Sequence, residues 1–417
     1  MVKIKPKKTQ LDWLDWEFGV FFHFGIRSFF KGHKDWDNKE MPASEFNPAE
    51  LDCEQWIRII KEAGAKYAIL VAKHHDGFAN WPSKYTRYSV ASTPWKNGKG
   101  DVVREFIDAC RKYGIRTGLY YSPAQWGGEI NLEDEKKYND YVINQVSEML
   151  TNYGKIDYLW FDGCGSDRFN FDKDRIVAAI RGLQPEILIF SMWDPDTRWV
   201  GNEDGYAGMP NFNTVVDPDY SMPAGKEEQL WHAKFLPAEC DFKMRSTWFD
   251  CEDNEDTIKS VEELVGIYEM SVGRGANFLI NIGPDRRGLL PEADSARLLE
   301  FGAEIRRRYG EPVRGFSSIM PEQGAKDSFS ITCPEPQLVN RVILEENLAE
   351  GESVTSFKIY AQLPTYKNKR VCVYMGCTIG HKAICVFPTI RTGKLTVEVV
   401  SHNGEYEIND MKAYFVK

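Results

Sequence analysis

The chain has 417 residues, a formal net charge of −10 and 13% aromatic residues. That length can bury a large core and suits one big domain followed by a smaller one. The acidic balance sets the chain against a phosphate backbone and excludes nucleic acid as its main ligand.

No apolar run approaches the length of a membrane span, and the opening MVKIKPKKTQLDW carries lysines without an apolar stretch. A cytoplasmic protein with no membrane partner is therefore expected. The nine cysteines (53, 110, 164, 240, 251, 333, 372, 377 and 385) are odd in number and form no CxxC pair, which favours free thiols.

The first strand is FGVFFHF. From about residue 50 one phrase then recurs: a capped amphipathic helix, a glycine stop and a short apolar strand. Asp52 precedes CEQWIRIIKEAG, in which Trp56, Ile59, Ile60 and Ala63 fall on one helical face and Gly64 is the stop. The strand KYAILVA follows at once. Asp101 caps VVREFIDACRKYG, which runs into IRTGLYYS. A long helix over 133–153 ends at Gly154 before KIDYLWF, DRIVAAIRGLQ precedes PEILIFS, and SVEELVGIYEMSVGRG precedes ANFLINIG. Continuous apolar strands between helices predict a parallel sheet covered on both faces. Six strands are readable, and one or two more are expected between residues 205 and 250. The count favours a (β/α)8-like TIM barrel over an open doubly wound sheet, and no GxGxxG follows an early strand. Residues 286–310 read as the last barrel helix.

After residue 311 the helical period disappears. VNRVILEE, SFKIYAQL, VCVYMG, AICVFP and LTVEVVS, set between turn residues, predict an all-β sandwich. The expected domains are a catalytic barrel over 1–310 and a C-terminal β-sandwich over 311–417, the latter read as a buttress because no aromatic platform stands out in it.

The C-terminal ends of barrel strands and the loops after them carry active sites. Here those positions hold His23, then His74, His75 and Asp76, then Tyr121, Asp162, a long loop with Trp193, Asp194, Trp199, Glu203 and Asp204, and finally Asn281. Each also has a structural reading: His23 as a core residue, Asp162 ahead of Gly163 as a turn or cap, Glu203 as a solvated loop residue. His74 and His75 cannot both face the mouth if the strand pleat continues. Their recurrence at equivalent strand ends argues for a site. Aromatic groups with scattered His, Asp, Glu and Arg suit a sugar better than a phosphate or an acyl chain. Two carboxylates on different elements suit glycoside cleavage, with Asp162 fixed at a strand end as nucleophile and Glu203 on a loop as acid/base.

FGVFFHFG, AGAKYAILVAKHHDGFANWPSKY, YYSP, LWFDG and NFLINIGPDRRG, in that order, resemble the α-L-fucosidases of glycoside hydrolase family 29 over roughly residues 15 to 310. PWKNGKGDVVREF, WVGNEDGYAG and the PAE at 237–239 are similar to the subgroup with α-1,3/1,4 regiospecificity. The resemblance implies a retaining exo-α-L-fucosidase that takes terminal fucose from Lewis-type fucosylated oligosaccharides with no cofactor and no metal. It assigns Asp162 as nucleophile and Glu203 as acid/base, with carboxyls roughly 5 to 5.5 Å apart. His23, His74, His75 and Tyr121 match groups holding the fucose hydroxyls, Trp36 matches a pocket tryptophan, and Arg245 and Trp248 match a later pocket pair. Glu239 matches an aglycone contact. Asp35 stands where the family usually has Glu, and MRSTWF replaces a more usual Arg-Pro-Gly-Trp. Three alternatives stay open: a metal-dependent barrel hydrolase using His23, His74, His75 and Asp162, despite the lack of HxH or HExxH spacing; a broad-specificity α-L-fucosidase; and a catalytically silent sugar-binding protein. The sequence carries no signal for oligomeric state.

Overall fold

The computed structural model describes residues 3–30, 37–126, 134–215, 233–251, 253–366 and 368–417. Helix α1 (Lys8–Leu14) leads into β1 (Phe18–Phe22). Then α2 (Cys53–Ala63), β2 (Tyr67–Lys73), α3 (Val102–Tyr113), β3 (Arg116–Tyr121), α4 (Glu135–Asn152), β4 (Tyr158–Phe161), α5 (Lys173–Leu183) and β5 (Leu188–Phe190) follow in strict alternation. Each of α2 to α5 starts where an aspartate accepts a backbone N–H three residues on. Asp52 takes Gln55, Asp101 takes Arg104, Asp134 takes Lys137 and Asp172 takes Arg175. A cap of this kind contributes about 1 kcal/mol. α2 and α3 end on Gly64 and Gly114 in the left-handed conformation.

After β5 the alternation breaks. β6 (Arg198–Trp199) follows a seven-residue connection with no helix, β7 (Thr214–Val215) and β8 (Lys234–Phe235) form a small hairpin, and β9 (Ala238–Lys243) is the next barrel strand. Helix α6 (Val261–Ser271), β10 (Asn277–Asn281) and α7 (Glu292–Tyr309) complete the unit. The eight strands lie in the order β5-β4-β3-β2-β1-β10-β9-β6, every pair parallel. A parallel bridge between Phe190 and Thr197 brings β5 to β6 and closes the barrel. All six strands read from the sequence are present. One of the expected further strands, β9, lies between residues 205 and 250, whereas β6 lies ahead of that window.

The strands read as unbroken apolar runs because both faces are buried. Phe21, Ile69, Tyr120, Tyr158, Trp160 and Phe190 form the interior, with Trp13 of α1 packed among them at the N-terminal end. Val20, Leu70, Leu119, Leu159, Phe161 and Ile189 face the helices.

The C-terminal region holds β11 (Met320–Pro321), β12 (Ser328–Glu346), β13 (Val354–Gln362), β14 (Arg370–Gly376), β15 (Ala383–His402) and β16 (Ile408–Tyr414), all paired antiparallel. AICVFP and LTVEVVS, read as two segments, are the two ends of the single 20-residue strand β15. Its first half pairs β12 beside β16, its second half pairs β12 and β13, and register shifts in β12 separate the halves. Both halves contribute to one apolar core around Ile331, Leu344, Ile359 and Val397. Among the described residues no helix is long and apolar enough to cross a membrane, and all nine cysteines are unpaired.

Candidate active site

At the C-terminal mouth of the barrel a cavity of about 460 Å³ opens, within the range of small-ligand sites. Its floor is aromatic. Trp160 stacks on Phe190 at 4.0 Å between centroids and on Tyr120 at 5.4 Å. Polar groups from six strand ends rise above it.

Asp162, one residue beyond β4, stands at the centre with its side chain 23% exposed. Tyr120 Oη donates to Oδ2 at 2.7 Å, the backbone N–H of Cys164 donates to Oδ1 at 2.8 Å, and His75 Nε2 lies 3.3 Å from Oδ2. Burial alone would push the carboxyl pKa up. The adjacent His75 and the three hydrogen bonds outweigh it, so Asp162 sits below the ordinary carboxylate value and is ionised near neutral pH.

Both imidazoles of the pair line the cavity, contrary to the expectation from a continuing pleat. β2 carries a register shift between Val71 and Lys73, which turns Lys73 onto the helix side opposite Tyr121. A tight turn closed by Gly77 N–H on His74 O follows, with Gly77 at φ 87°, and the strand ends there. His74 stacks parallel on Tyr120 at 5.7 Å. Its Nδ1 is buried with no hydrogen-bond partner among the described residues. His23 Nδ1 is 2.7 Å from Asn281 Oδ1, while Asn281 Nδ2 donates to Trp248 O at 2.7 Å. The amide thus presents its oxygen to His23, and His23 Nδ1 carries the proton, leaving Nε2 as an acceptor. Burial drives the His23 pKa down to about 3 and that of His74 well below its usual value. Both are neutral hydrogen-bonding groups rather than cations.

Glu203 lies on the loop after β6, pinned to β9 by a bridge between Asp204 and Phe242. Its carboxyl is 51% exposed at the rim, 3.3 Å from Lys243 Nζ. Trp248 also lines the cavity, tilted against His23 at 4.8 Å between ring centroids with Lys243 over its ring.

Three expected residues stand elsewhere. Tyr121 points outward, where its hydroxyl donates to Gln145 of α4 at 2.8 Å; adjacent strand residues face opposite ways, and it is Tyr120 that enters the site. Glu239 lies one layer below the cavity, fully buried, accepting from Tyr67 at 2.6 Å, Trp160 at 2.8 Å and Tyr158 at 3.2 Å. Burial raises its pKa to about 7, and it touches no aglycone space. Arg245 is spent on Asp294 at the start of α7 and on Asn254, tying the loop after β9 to that helix. Asp35 and Trp36 lie outside the described residues. Reading the sequence missed Tyr120, Asp241 and Lys243. The last two share the inward face of β9 with Glu239, so alternation along AECDFK would have found them. Asp241 accepts from Trp199 Nε1 at 2.7 Å, and burial with nearby Glu203 pushes its pKa well up.

The arrangement offers an ionised carboxylate, a second carboxyl at the rim, neutral imidazoles aimed at hydroxyls and an aromatic floor for a CH-rich face. That equipment suits attack at a sugar's anomeric carbon. Among the described residues no group of three or more His, Cys, Asp or Glu is arranged to hold a metal ion.

Comparison with known proteins agrees with this chemistry. The sequence model of the alpha-L-fucosidase family matches residues 3–311. Alpha-L-fucosidase 1 of Arabidopsis thaliana is 38% identical over 457 aligned residues, covering 96% of this chain and 87% of that protein. Tissue alpha-L-fucosidase of Mus musculus is 28% identical over 72% of this chain and 73% of its own. The crystal structure of a glycoside hydrolase 29 family member from an unknown rumen bacterium superposes with a TM-score of 0.89 at 30% identity, covering 100% of this chain and 78% of that one. With a barrel, a carboxylate-centred cavity and a family match that spans about three quarters of its length, the chain belongs to the alpha-L-fucosidase family of glycoside hydrolases.

Proposed function

We propose that the protein removes terminal α-1,3/1,4-linked L-fucose from Lewis-type oligosaccharides by double displacement. In the first step an Asp162 oxygen attacks the anomeric carbon, the glycosidic C–O bond breaks, and Glu203 gives its proton to the departing oxygen. In the second, Glu203 takes a proton from water, the water oxygen attacks the same carbon, and the bond to Asp162 breaks. Two inversions give net retention.

The observation that carries this reading is the unequal pair on one cavity. Asp162 is held and ionised by Tyr120, His75 and the Cys164 amide, while Glu203 stands half-exposed at the rim where a leaving group would pass. The linkage preference rests on the similarity of residues 94–106 and 199–208 to the α-1,3/1,4 subgroup. The test uses Asp162→Ala. Hydrolysis of an aryl fucoside should fall about a thousandfold or more while fucose binding, followed calorimetrically, persists; loss of both would give Asp162 a structural role. Proton NMR should show α-fucose released first by the wild type, and a fucose complex should place the two carboxyls roughly 5 to 5.5 Å apart. Matched α-1,2, α-1,3, α-1,4 and α-1,6 fucosylated oligosaccharides decide the linkage, and comparable release from all four would replace the subgroup assignment with broad specificity.

A further inference from the structure

Ser122 follows β3 and is fully buried directly behind His75. Its hydroxyl has one proton, and that proton has a destination: Oγ lies 2.6 Å from the carbonyl oxygen of Ala124, which can only accept. The same Oγ lies 2.6 Å from His75 Nδ1. With the hydroxyl proton committed to Ala124, Oγ is an acceptor toward the ring, and Nδ1 must carry a hydrogen. The other nitrogen, Nε2, faces Asp162 Oδ2 at 3.3 Å. A lone pair there would oppose the carboxylate charge, so Nε2 carries a hydrogen as well. Asp162 does not supply that proton, since Tyr120 already donates to Oδ2 and Cys164 N–H to Oδ1.

We propose that Ser122 is a positioning residue that holds His75 in its doubly protonated, cationic form, and that this fixed imidazolium is the counter-charge keeping Asp162 an anion. The inference rests on the reading of Asp162 as the nucleophile. It sets His75 apart from His23 and His74, whose surroundings keep them neutral. It also explains the backbone around Ser122. Ser122 N–H donates to Lys73 O at 2.9 Å and Trp126 N–H to His75 O at 2.9 Å, so the loop after β3 is laced to the end of β2 on both sides of the imidazole. Lys73 Nζ donates to Gln125 Oε1 at 2.9 Å from the helix side and Arg168 donates to Gln125 O at 3.2 Å, which fixes the loop carrying Ala124.

The charged and titratable groups around this pair are His74 beside His75, His23 after β1 with Lys243 of β9 near it, Lys73 at the end of β2, Asp76 in the turn after β2 with its partner Arg27, Tyr120 on β3, Cys164 after β4 and Glu203 at the rim. Among these Asp162 makes the direct contact with Nε2. The imidazolium favours the Asp162 anion, so its loss lets Asp162 take up a proton at higher pH, and the acid limb of kcat/KM moves up.

Two measurements test this on the full chain. In protein with its seven histidines labelled with nitrogen-15, the His75 signal, assigned by its loss in His75→Gln, should show both ring nitrogens protonated at pH 7. In Ser122→Ala the same signal should become that of a neutral ring with one protonated nitrogen. The acid limb of kcat/KM for an aryl fucoside should rise by about one pH unit, a roughly tenfold loss of rate on that limb, with the alkaline plateau much less affected. Ser122→Thr, which keeps the hydroxyl, should restore the limb. A neutral His75 in the wild type at pH 7 overturns the proposal, as does a Ser122→Ala enzyme that is slower by one factor at every pH. The NMR result does not depend on turnover, so it stands or falls apart from the assignment of Asp162 as nucleophile.

Discussion

At the scale of single residues, the decisive distinction in the site is between two adjacent tyrosines. Tyr120 and Tyr121 are chemically identical and both nearly inaccessible, yet β3 sends one into the mouth and the other against α4. Tyr120 donates to a carboxylate, and a hydrogen bond to a charged group contributes about 1.5–3 kcal/mol. If it serves the anion that attacks, Tyr120→Phe should lower kcat/KM about 10- to 100-fold. Tyr121→Phe removes a neutral bond to Gln145 and should leave kcat/KM within about twofold while costing about 1 kcal/mol of stability. Steady-state kinetics beside urea melts separate the two, and a catalytic loss in Tyr121→Phe equal to that in Tyr120→Phe would contradict the placement. The motif YYS alone cannot make this choice, because both faces of a barrel strand are apolar and the usual in/out alternation is hidden. Parity becomes readable only with a fixed point, and Asp162 just past the end of the neighbouring strand is one.

At the scale of elements, the helices were legible and the short connections were not. Asp52, Asp101 and the glycine stops mark helix ends by local chemistry that the chain writes within four residues, and α2 and α3 begin and end on those marks. β6 has two residues, too few for any period, and it is recognisable only by its pairing with β9. The turn that admits both His74 and His75 depends on a register shift against β3, a property of two strands rather than one. Helix packing adds a constraint the sequence states only as one glycine. Gly302, inside α7, lies so close to the end of α2 that a Cβ there would come 2.1 Å from Ala63 O. Alanine would gain about 0.5–1 kcal/mol of helix preference, but overpacking against a backbone carbonyl costs about 1–3 kcal/mol. The clash wins, so Gly302→Ala should be destabilised by about 1–2 kcal/mol in urea melts, with kcat per folded molecule unchanged because the contact is on the outer ring. A variant more stable than the wild type would mean that the two helices can separate freely.

At the scale of the whole molecule, the β-rich C-terminal unit is packed into the barrel rather than appended to it. Ile343, Ile384 and Tyr414 belong to the same apolar cluster as the barrel helices, and Leu348 joins the cluster at the barrel's interior end. Glu269 of α6 is shared between Arg308 of α7 and Arg341 of β12 at 3.5 Å each, and Lys382, just ahead of β15, bonds to Glu17 ahead of β1. Such a junction makes the two units unfold together. The chain supplies a clean probe, because all 12 tryptophans precede residue 311 and their fluorescence reports the barrel alone. Ile359 is fully buried in the core of the sheet unit, away from the junction. Ile359→Ala should cost about 2–4 kcal/mol, which for a chain of this size lowers Tm by about 3 °C. If the units are coupled, tryptophan fluorescence and far-ultraviolet circular dichroism should register that drop equally, in one transition. A tryptophan transition left at the wild-type temperature, while dichroism shows an earlier loss of strand, would make the sheet an independent passenger on the barrel.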